Sequence, residues 1–143
     1  MKPTARTATI DDIPAMHRIR LAVRENRLTA PDRVTEDMYR PYVAHGSAWV
    51  AETDGKLAGF AAVDAAAGTV WALFVDPQAE SGGIGTALHD RMLRWASEGG
   101  IARLSLTTER GTRAERFYTA AGWTRAGLST AGETRFERTL RKP

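Results

Sequence analysis

The chain has 143 residues, 26% of them charged and 43% hydrophobic, with no cysteine and a formal net charge of +3. These are the figures of one ordinary globular domain, residues 1–143, and they exclude a disordered tail, a collagen-like rod, a disulfide scaffold and thiolate chemistry. No apolar run approaches the roughly 18–20 residues that cross a bilayer, and the basic residues, 17 Arg and 3 Lys, form no dense stripe for nucleic acid.

Residues 4–9 (TARTAT) alternate weakly and are expected to form a first strand. Asp11 or Asp12 can cap the helix that follows, where Pro14 is tolerated in the first turn. Ile13, Met16, Ile19 and Val23 draw one apolar stripe along it. Pro31 and Asp32 mark a connector. Thr35 can cap a second helix to about His45, with Met38, Tyr42 and Val43 on its buried side and Gly46 as its stop. Residues 47–53 (SAWVAET) and 56–64 (KLAGFAAVD) flank Asp54-Gly55, a strong hairpin signal. Residues 69–76 (TVWALFVD) read as a strand buried on both faces and ended by Pro77. A glycine-rich turn leads into a helix over 83–98, with Ile84, Leu88, Met92 and Trp95 on one side and Gly99-Gly100 at its end. A strand over 102–108 and a helix over 112–121 follow. The helix opens with the capping box Thr112-Arg113-Ala114-Glu115. Short strands near 123–126 and 133–140 complete the chain. The order β-α-α-β-β-β-α-β-α-β-β predicts a mixed α/β (α+β) fold. Its sheet has six or seven strands with helices on both faces, and a right-handed parallel crossover joins the fourth and fifth.

The chemical signal is concentrated in residues 73–88, LFVDPQAESGGIGTAL. A strand ends at a proline, and a helix begins inside a loop that holds Gly82, Gly83 and Gly85. Glycines let the backbone turn through positive φ and leave no Cβ in a ligand's way. The first N–H groups of the helix lack partners and carry the positive end of its dipole. Together they make a site for phosphate or pyrophosphate. The loop is not a P-loop, because no Gly-Lys-Ser/Thr follows, and G-G-I-G does not fit the dinucleotide fingerprint. Taken alone it is equally a strand-to-helix turn with no ligand. The arginines after position 90 are consistent with an anionic ligand, and equally with solvated helix faces paired with Glu, as around Arg113, Glu115 and Arg116.

With AERFYTAAGW some thirty residues later, this segment resembles the GNAT superfamily of N-acyltransferases. Glu80, Gly83 and Gly85 fall on the family's Gln/Arg-x-x-Gly-x-Gly/Ala signature for acyl-CoA. Ala114, Phe117, Tyr118, Gly122 and Trp123 fall on its later motif. Two positions depart from the pattern. Glu80 replaces Gln or Arg, and Gly111 stands where Asn is common. The resemblance implies a mostly antiparallel twisted sheet splayed between its fourth and fifth strands, and acetyl-CoA as co-substrate.

The resemblance also implies roles for particular residues. The open backbone at Leu73, Phe74 and Val75 would hydrogen-bond the pantetheine arm as an added strand does. The loop at Glu80, Ser81, Gly82, Gly83, Ile84, Gly85 and Thr86 would hold the pyrophosphate through its N–H groups. Tyr118 would donate a proton to the leaving thiolate; read by itself it is a core tyrosine beside Phe117. The expected reaction is direct transfer of an acetyl group to a primary amine of a small molecule, amino acid or peptide, which needs a base. Glu109 is the first choice for that base, ahead of Asp64 and Glu25. His17, His45 and His89 fit the position poorly and make no metal motif. Arg24, Glu25, Asn26, Tyr39, Trp49, Glu133 and Arg135 are expected to line the acceptor side. A CoA-binding sensor without turnover and another phosphate-ligand module, such as a nucleotide-binding one, are the competing readings. Residues 1–12 lack a signal peptide's apolar core, so a cytoplasmic protein without membrane or nucleic-acid partners is expected. By family analogy it would pair as a homodimer through the last strands, where Phe136 and Leu140 offer apolar surface.

Overall fold

In a computed structural model of the chain, residues 3–25, 34–79 and 82–140 are described, the side chains of residues 24 and 25 excepted. Strand β1 (Ala5–Thr7) leads through a 3-10 turn at Ile10–Asp12 into helix α1 (Ile13–Glu25). The cap of that turn is Thr9 rather than Asp11 or Asp12. Asp12 acts from the far side of the box, its carboxylate accepting the Thr9 N–H at 2.7 Å and two bonds from Arg6 at 2.9 Å. A 3-10 turn at Glu36–Tyr39, capped by Thr35 as expected, opens the short helix α2 (Arg40–Ala44). The tighter 3-10 pitch shifts the buried position by one residue. Tyr39 is fully buried, whereas Met38, expected inside, is 47% exposed.

Strands β2 (Ala48–Thr53) and β3 (Lys56–Asp64) form the expected hairpin, with φ of +53° at Asp54 and +76° at Gly55. Strand β4 (Thr69–Val75) pairs antiparallel with β3. Helix α3 (Ile84–Glu98) crosses to strand β5 (Arg103–Thr108), parallel to β4. Helix α4 (Arg113–Ala120) and strands β6 (Thr124–Leu128) and β7 (Thr134–Thr139) follow. The seven strands lie in the order β1-β2-β3-β4-β5-β7-β6, and every pair except β4–β5 is antiparallel.

The sheet separates two cores. On one face Ile84, Leu88, Met92 and Ala96 of α3 pack with Trp49, Leu104, Tyr118, Trp123 and Phe136. On the other, Ile13, Met16 and Ile19 of α1 pack with Tyr39, Phe60 and Ala72. Three expectations change here. Trp49 belongs to the α3 core, because it alternates with Ala48 and Val50, which face α1. Phe136 is fully buried beneath Tyr118 and offers no surface to a second copy. Strand β4 is buried only at Ala72 and half-buried elsewhere, because one edge of it borders an opening in the sheet.

Candidate active site

The site begins as a break in the sheet. β4 and β5 are paired only at Thr69↔Ser105. Further along β4 the register to β3 skips Trp71, leaving an extra residue between Val70, opposite Val63, and Ala72, opposite Ala62. A bulge bends the strand that carries it. Beyond the single pair, β4 presents toward β5 an edge of backbone groups that no strand takes up, which suits an extended ligand.

A cavity of about 570 Å³ lies along that opening. Leu73, Phe74 and Val75 form one side, Gly83, Gly85 and Thr86 the start of α3, and Thr112, Ala114, Phe117 and Tyr118 the α4 side. Gly83 caps α3 with φ +80°, a conformation that disfavours any side chain. The first bond of the helix runs from Ala87 N–H to the Gly83 carbonyl at 3.1 Å. The N–H groups of Ile84, Gly85 and Thr86 precede it and have no intrahelical acceptor. Gly85 lies flat against the α4 side, where a Cβ would touch Val75 and Phe117 at 3.5–3.6 Å. The Ile84 side chain is buried among Leu88 and Met92, so that residue can offer only backbone. Gly82 is exposed and does not line the cavity, and Glu80 and Ser81 lie outside the described residues. The described part of this cradle is free of acidic side chains and fits a polyanion with an extended arm.

A second cavity, of about 220 Å³, opens on the other side of the break. It is lined by Arg20 of α1, Trp71 of β4, Thr107 and Thr108 of β5, and by Glu109 and Glu133. Leu73, Phe74, Ala114 and Tyr118 line both cavities. Tyr118 is therefore the polar side chain at which the two meet. Its ring packs on Phe117, Trp123 and Phe136, at centroid distances of 5.3, 5.3 and 5.9 Å. Burial pushes its hydroxyl above the usual phenol range, and no described residue hydrogen-bonds it. The phenol thus keeps its proton and is available as a donor.

The start of α4 is tied down by Glu115. Thr112 accepts the Glu115 N–H at 3.3 Å, one half of the expected capping box. The other half is absent, because the Glu115 carboxylate accepts instead from the Gly111 N–H at 3.0 Å and from the Thr134 hydroxyl, and pairs with Arg125 at 3.5 Å. The Thr134 and Gly111 hydrogen bonds hold this carboxyl below the usual range. Gly111 has φ +73°, so the loop uses the position for its turn. Thr112 also donates to the Glu109 carbonyl at 2.7 Å, which links the end of β5 to α4.

Of the expected acceptor-side residues, Glu133 lines the second cavity, while Tyr39 and Trp49 are core side chains and Arg135 bonds Glu137 at 3.3 Å. Asn26 and the side chains of Arg24 and Glu25 lie outside the described residues. Among the base candidates Glu109 reaches the cavity. Asp64 lines neither; its carboxylate accepts the Ala67 N–H in the β3–β4 turn at 3.1 Å. His17 bonds the Tyr39 hydroxyl at 3.0 Å, His45 is exposed, and His89 accepts the Trp123 indole N–H at 2.9 Å. Arg20 and Trp71 were not anticipated at the site. The sequence signal for Arg20 is its position on α1 between Ile19 and Val23 of the apolar stripe; the bulge that exposes Trp71 leaves no such mark. Among the described residues no group of three or more His, Cys, Asp or Glu could hold a metal ion, and no helix is long and apolar enough to cross a membrane.

Comparison with known proteins agrees with this geometry. Mycothiol acetyltransferase of Sanguibacter keddieii is 40% identical over 115 residues, 71% of this chain but 35% of that protein. The chain thus spans about a third of the length of this curated relative. Among solved structures, a GNAT acetyltransferase from Bacillus cereus superposes with a TM-score of 0.81 at 17% identity, covering 99% of both chains. The PaiA N-acetyltransferase of Thermoplasma acidophilum, solved with coenzyme A, superposes with a TM-score of 0.75 at 14% identity, covering 98% of this chain and all of that one. Residues 13–123 match the acetyltransferase (GNAT) family profile, and the chain belongs to that family.

Proposed function

We propose that the chain moves the acetyl group of acetyl-CoA directly to a primary amine in the cleft between β4 and β5. The larger cavity takes the co-substrate. The backbone of Leu73, Phe74 and Val75 pairs with the pantetheine arm, and the N–H groups of the Gly82–Thr86 loop, with Glu80 and Ser81 at its start, take the pyrophosphate. The smaller cavity takes the acceptor. Glu109 accepts a proton from the ammonium, directly or through water, so that the nitrogen lone pair can attack the thioester carbonyl. The C–N bond forms as the C–S bond breaks, and the second nitrogen proton leaves by the same route. Tyr118 donates its hydrogen bond, and then its proton, to the departing sulfur and recovers the proton from solvent.

The observation that carries this reading is the position of Tyr118, buried and on the wall of both cavities. General acid catalysis contributes about 10²–10⁴-fold. Tyr118→Phe is expected to lose at least a hundredfold in kcat while acetyl-CoA binding, read by calorimetry, is unchanged. Unaltered turnover would remove Tyr118 from the chemistry. Binding without turnover in the unmodified protein, across a broad amine panel, would favour a CoA sensor over an enzyme.

A further inference from the structure

Helix α4 carries Tyr118 to the junction of the two cavities, and at eight residues it is too short to fix its own position. The hold comes from one face of β7. Thr134, Phe136 and Arg138 alternate along that strand, so their side chains stand on the same side of the sheet. The Thr134 hydroxyl donates to the Glu115 carboxylate at the start of α4. Phe136 packs against the Tyr118 ring, 5.9 Å between centroids. Arg138 Nη1 donates to the carbonyl of Ala121, the C-cap of α4, at 2.7 Å. Glu115, Tyr118 and Ala121 follow at intervals of three, the spacing of neighbours on one helix face. Thr134 and Phe136 are both buried. The Glu115 carboxylate also accepts the Gly111 N–H at 3.0 Å and pairs with Arg125 of β6 at 3.5 Å. One carboxylate thus joins the loop before α4, the helix itself, β6 and β7.

We infer that Glu115 and Arg138 are positioning residues for the reaction: from the two ends of α4 they fix where Tyr118 stands between the cavities. The inference rests on the acetyl transfer proposed above, with Tyr118 as its acid. Neither side chain lines the larger or the smaller cavity, so both act through the helix. In a capping box Glu115 would turn back to the Thr112 N–H. Here it gives up that local bond and reaches across to β7, which ties the helix to the sheet instead of to itself. Such a tie matters to an acid. A proton donor works within about 2.6–3.2 Å of the atom it protonates. A displacement of about 1 Å can cost about a hundredfold in rate. Release of either end lets α4 tilt and carries the Tyr118 hydroxyl away from the sulfur, while Phe136 and Trp123 keep the ring in the core.

The test is a pair of double-mutant cycles, Glu115→Ala and Arg138→Met each combined with Tyr118→Phe, read as kcat. Acetyl-CoA is the donor, and the acceptor is the best substrate in a broad panel of primary amines. The chain has no cysteine, so the released CoA thiol is measured with a disulfide reagent free of protein background. Each single variant is expected to lose about tenfold or more in kcat, with KM for the amine changed less than about threefold. In the Tyr118→Phe background the same changes are expected to cost less than about twofold, because an acid already removed cannot be misplaced. Glu115→Gln can accept the Gly111 N–H and donate to the Thr134 hydroxyl, whose proton can turn away, and is expected to recover most of the lost rate. Should Glu115→Ala fail to fold, Thr134→Val removes the same bond from the strand side. Losses of equal size in both backgrounds are what a merely structural role gives, and they overturn the inference, as does an unchanged kcat in the folded single variants. Unaltered turnover in Tyr118→Phe, or a protein that acetylates no amine of the panel, overturns the acetyl-transfer reading itself, and the inference falls with it.

Discussion

Trp123 occupies a place where the resembling family commonly has Phe, and the difference adds an indole N–H to the α3 core. His89 supplies the acceptor, its Nε2 2.9 Å from the indole nitrogen, while its Nδ1 lies 3.4 Å from Asp90. The contact fixes the tautomer with the proton on Nδ1. Trp123→Phe would leave the buried Nε2 without a partner, a cost of about 1–3 kcal/mol. The paired change Trp123→Phe with His89→Leu should recover part of that loss, and chemical denaturation of the four proteins measures the coupling. Burial is the first cause of a lowered His89 pKa, opposed by Asp90 and reinforced by Arg138. The folded protein therefore binds this proton less readily than the unfolded chain, whose imidazole titrates at about 6.5. The contribution is complete above about pH 6.5 and is lost as pH falls toward the folded value. His89→Gln can still accept the indole N–H but does not titrate. It is expected to flatten stability between pH 7 and 5, and an unchanged slope would assign the acid sensitivity to other groups.

At the scale of elements, close approach of α3 to the sheet depends on Gly59 in β3. A Cβ there would lie 2.7 Å from Ile84 Cγ2, 2.9 Å from the Phe74 carbonyl oxygen and 3.0 Å from Leu88. The carbonyl belongs to β4 backbone and cannot rotate aside. Gly59→Ala is expected to cost about 1–3 kcal/mol, as overpacking does. It should also weaken acetyl-CoA binding, because displacement of Ile84 moves the N-terminal turn of α3; a melting curve and a titration read the two effects separately. Gly59 was illegible in the sequence, since a glycine inside KLAGFAAVD reads as a weak point in a strand. What was legible had a local cause. The Asp54-Gly55 turn, the Thr35 and Thr112 caps and the stripe Ile84, Leu88, Met92 each depend on neighbours within a turn or two. Errors came where a distant element intervened or where a turn was tighter than an α-helix. Thr134 on β7 draws Glu115 out of its capping box, the 3-10 pitch before α2 exchanges Met38 for Tyr39, and the α3 core takes Trp49. At the site, the glycine-rich strand-to-helix turn was legible as a phosphate cradle from its residues, whereas Tyr118 read by itself as a core tyrosine and was singled out only through the family resemblance. In the smaller cavity Glu109 and Glu133 stand where the sequence had placed candidates, whereas Arg20 and Trp71 could not be named, because they meet only once α1 and β4 come together beside the break in the sheet.

Over the whole molecule, the two cores and the break between β4 and β5 have a consequence for stability. The larger cavity is bounded by β4, which belongs to both cores, and by α3 and α4, which belong to one. A ligand that fills it ties together elements that a single strand pair otherwise joins at that place. A ligand bound only by the folded state at a hundredfold excess over its dissociation constant adds about 2.7 kcal/mol. For a domain of this length that corresponds to a rise in Tm of about 5–10 °C. Acetyl-CoA and CoA are both expected to produce it, because the pantetheine arm and the pyrophosphate are common to them. ATP offers phosphates to the start of α3 but nothing to the open edge of β4, and should produce a clearly smaller rise. Equal rises for ATP and CoA would mean that the β4 edge contributes little and that the cavity is a phosphate site alone. No rise with any of them would mean that Glu80 and Gly111, the two departures from the family pattern, have cost the cradle its ligand.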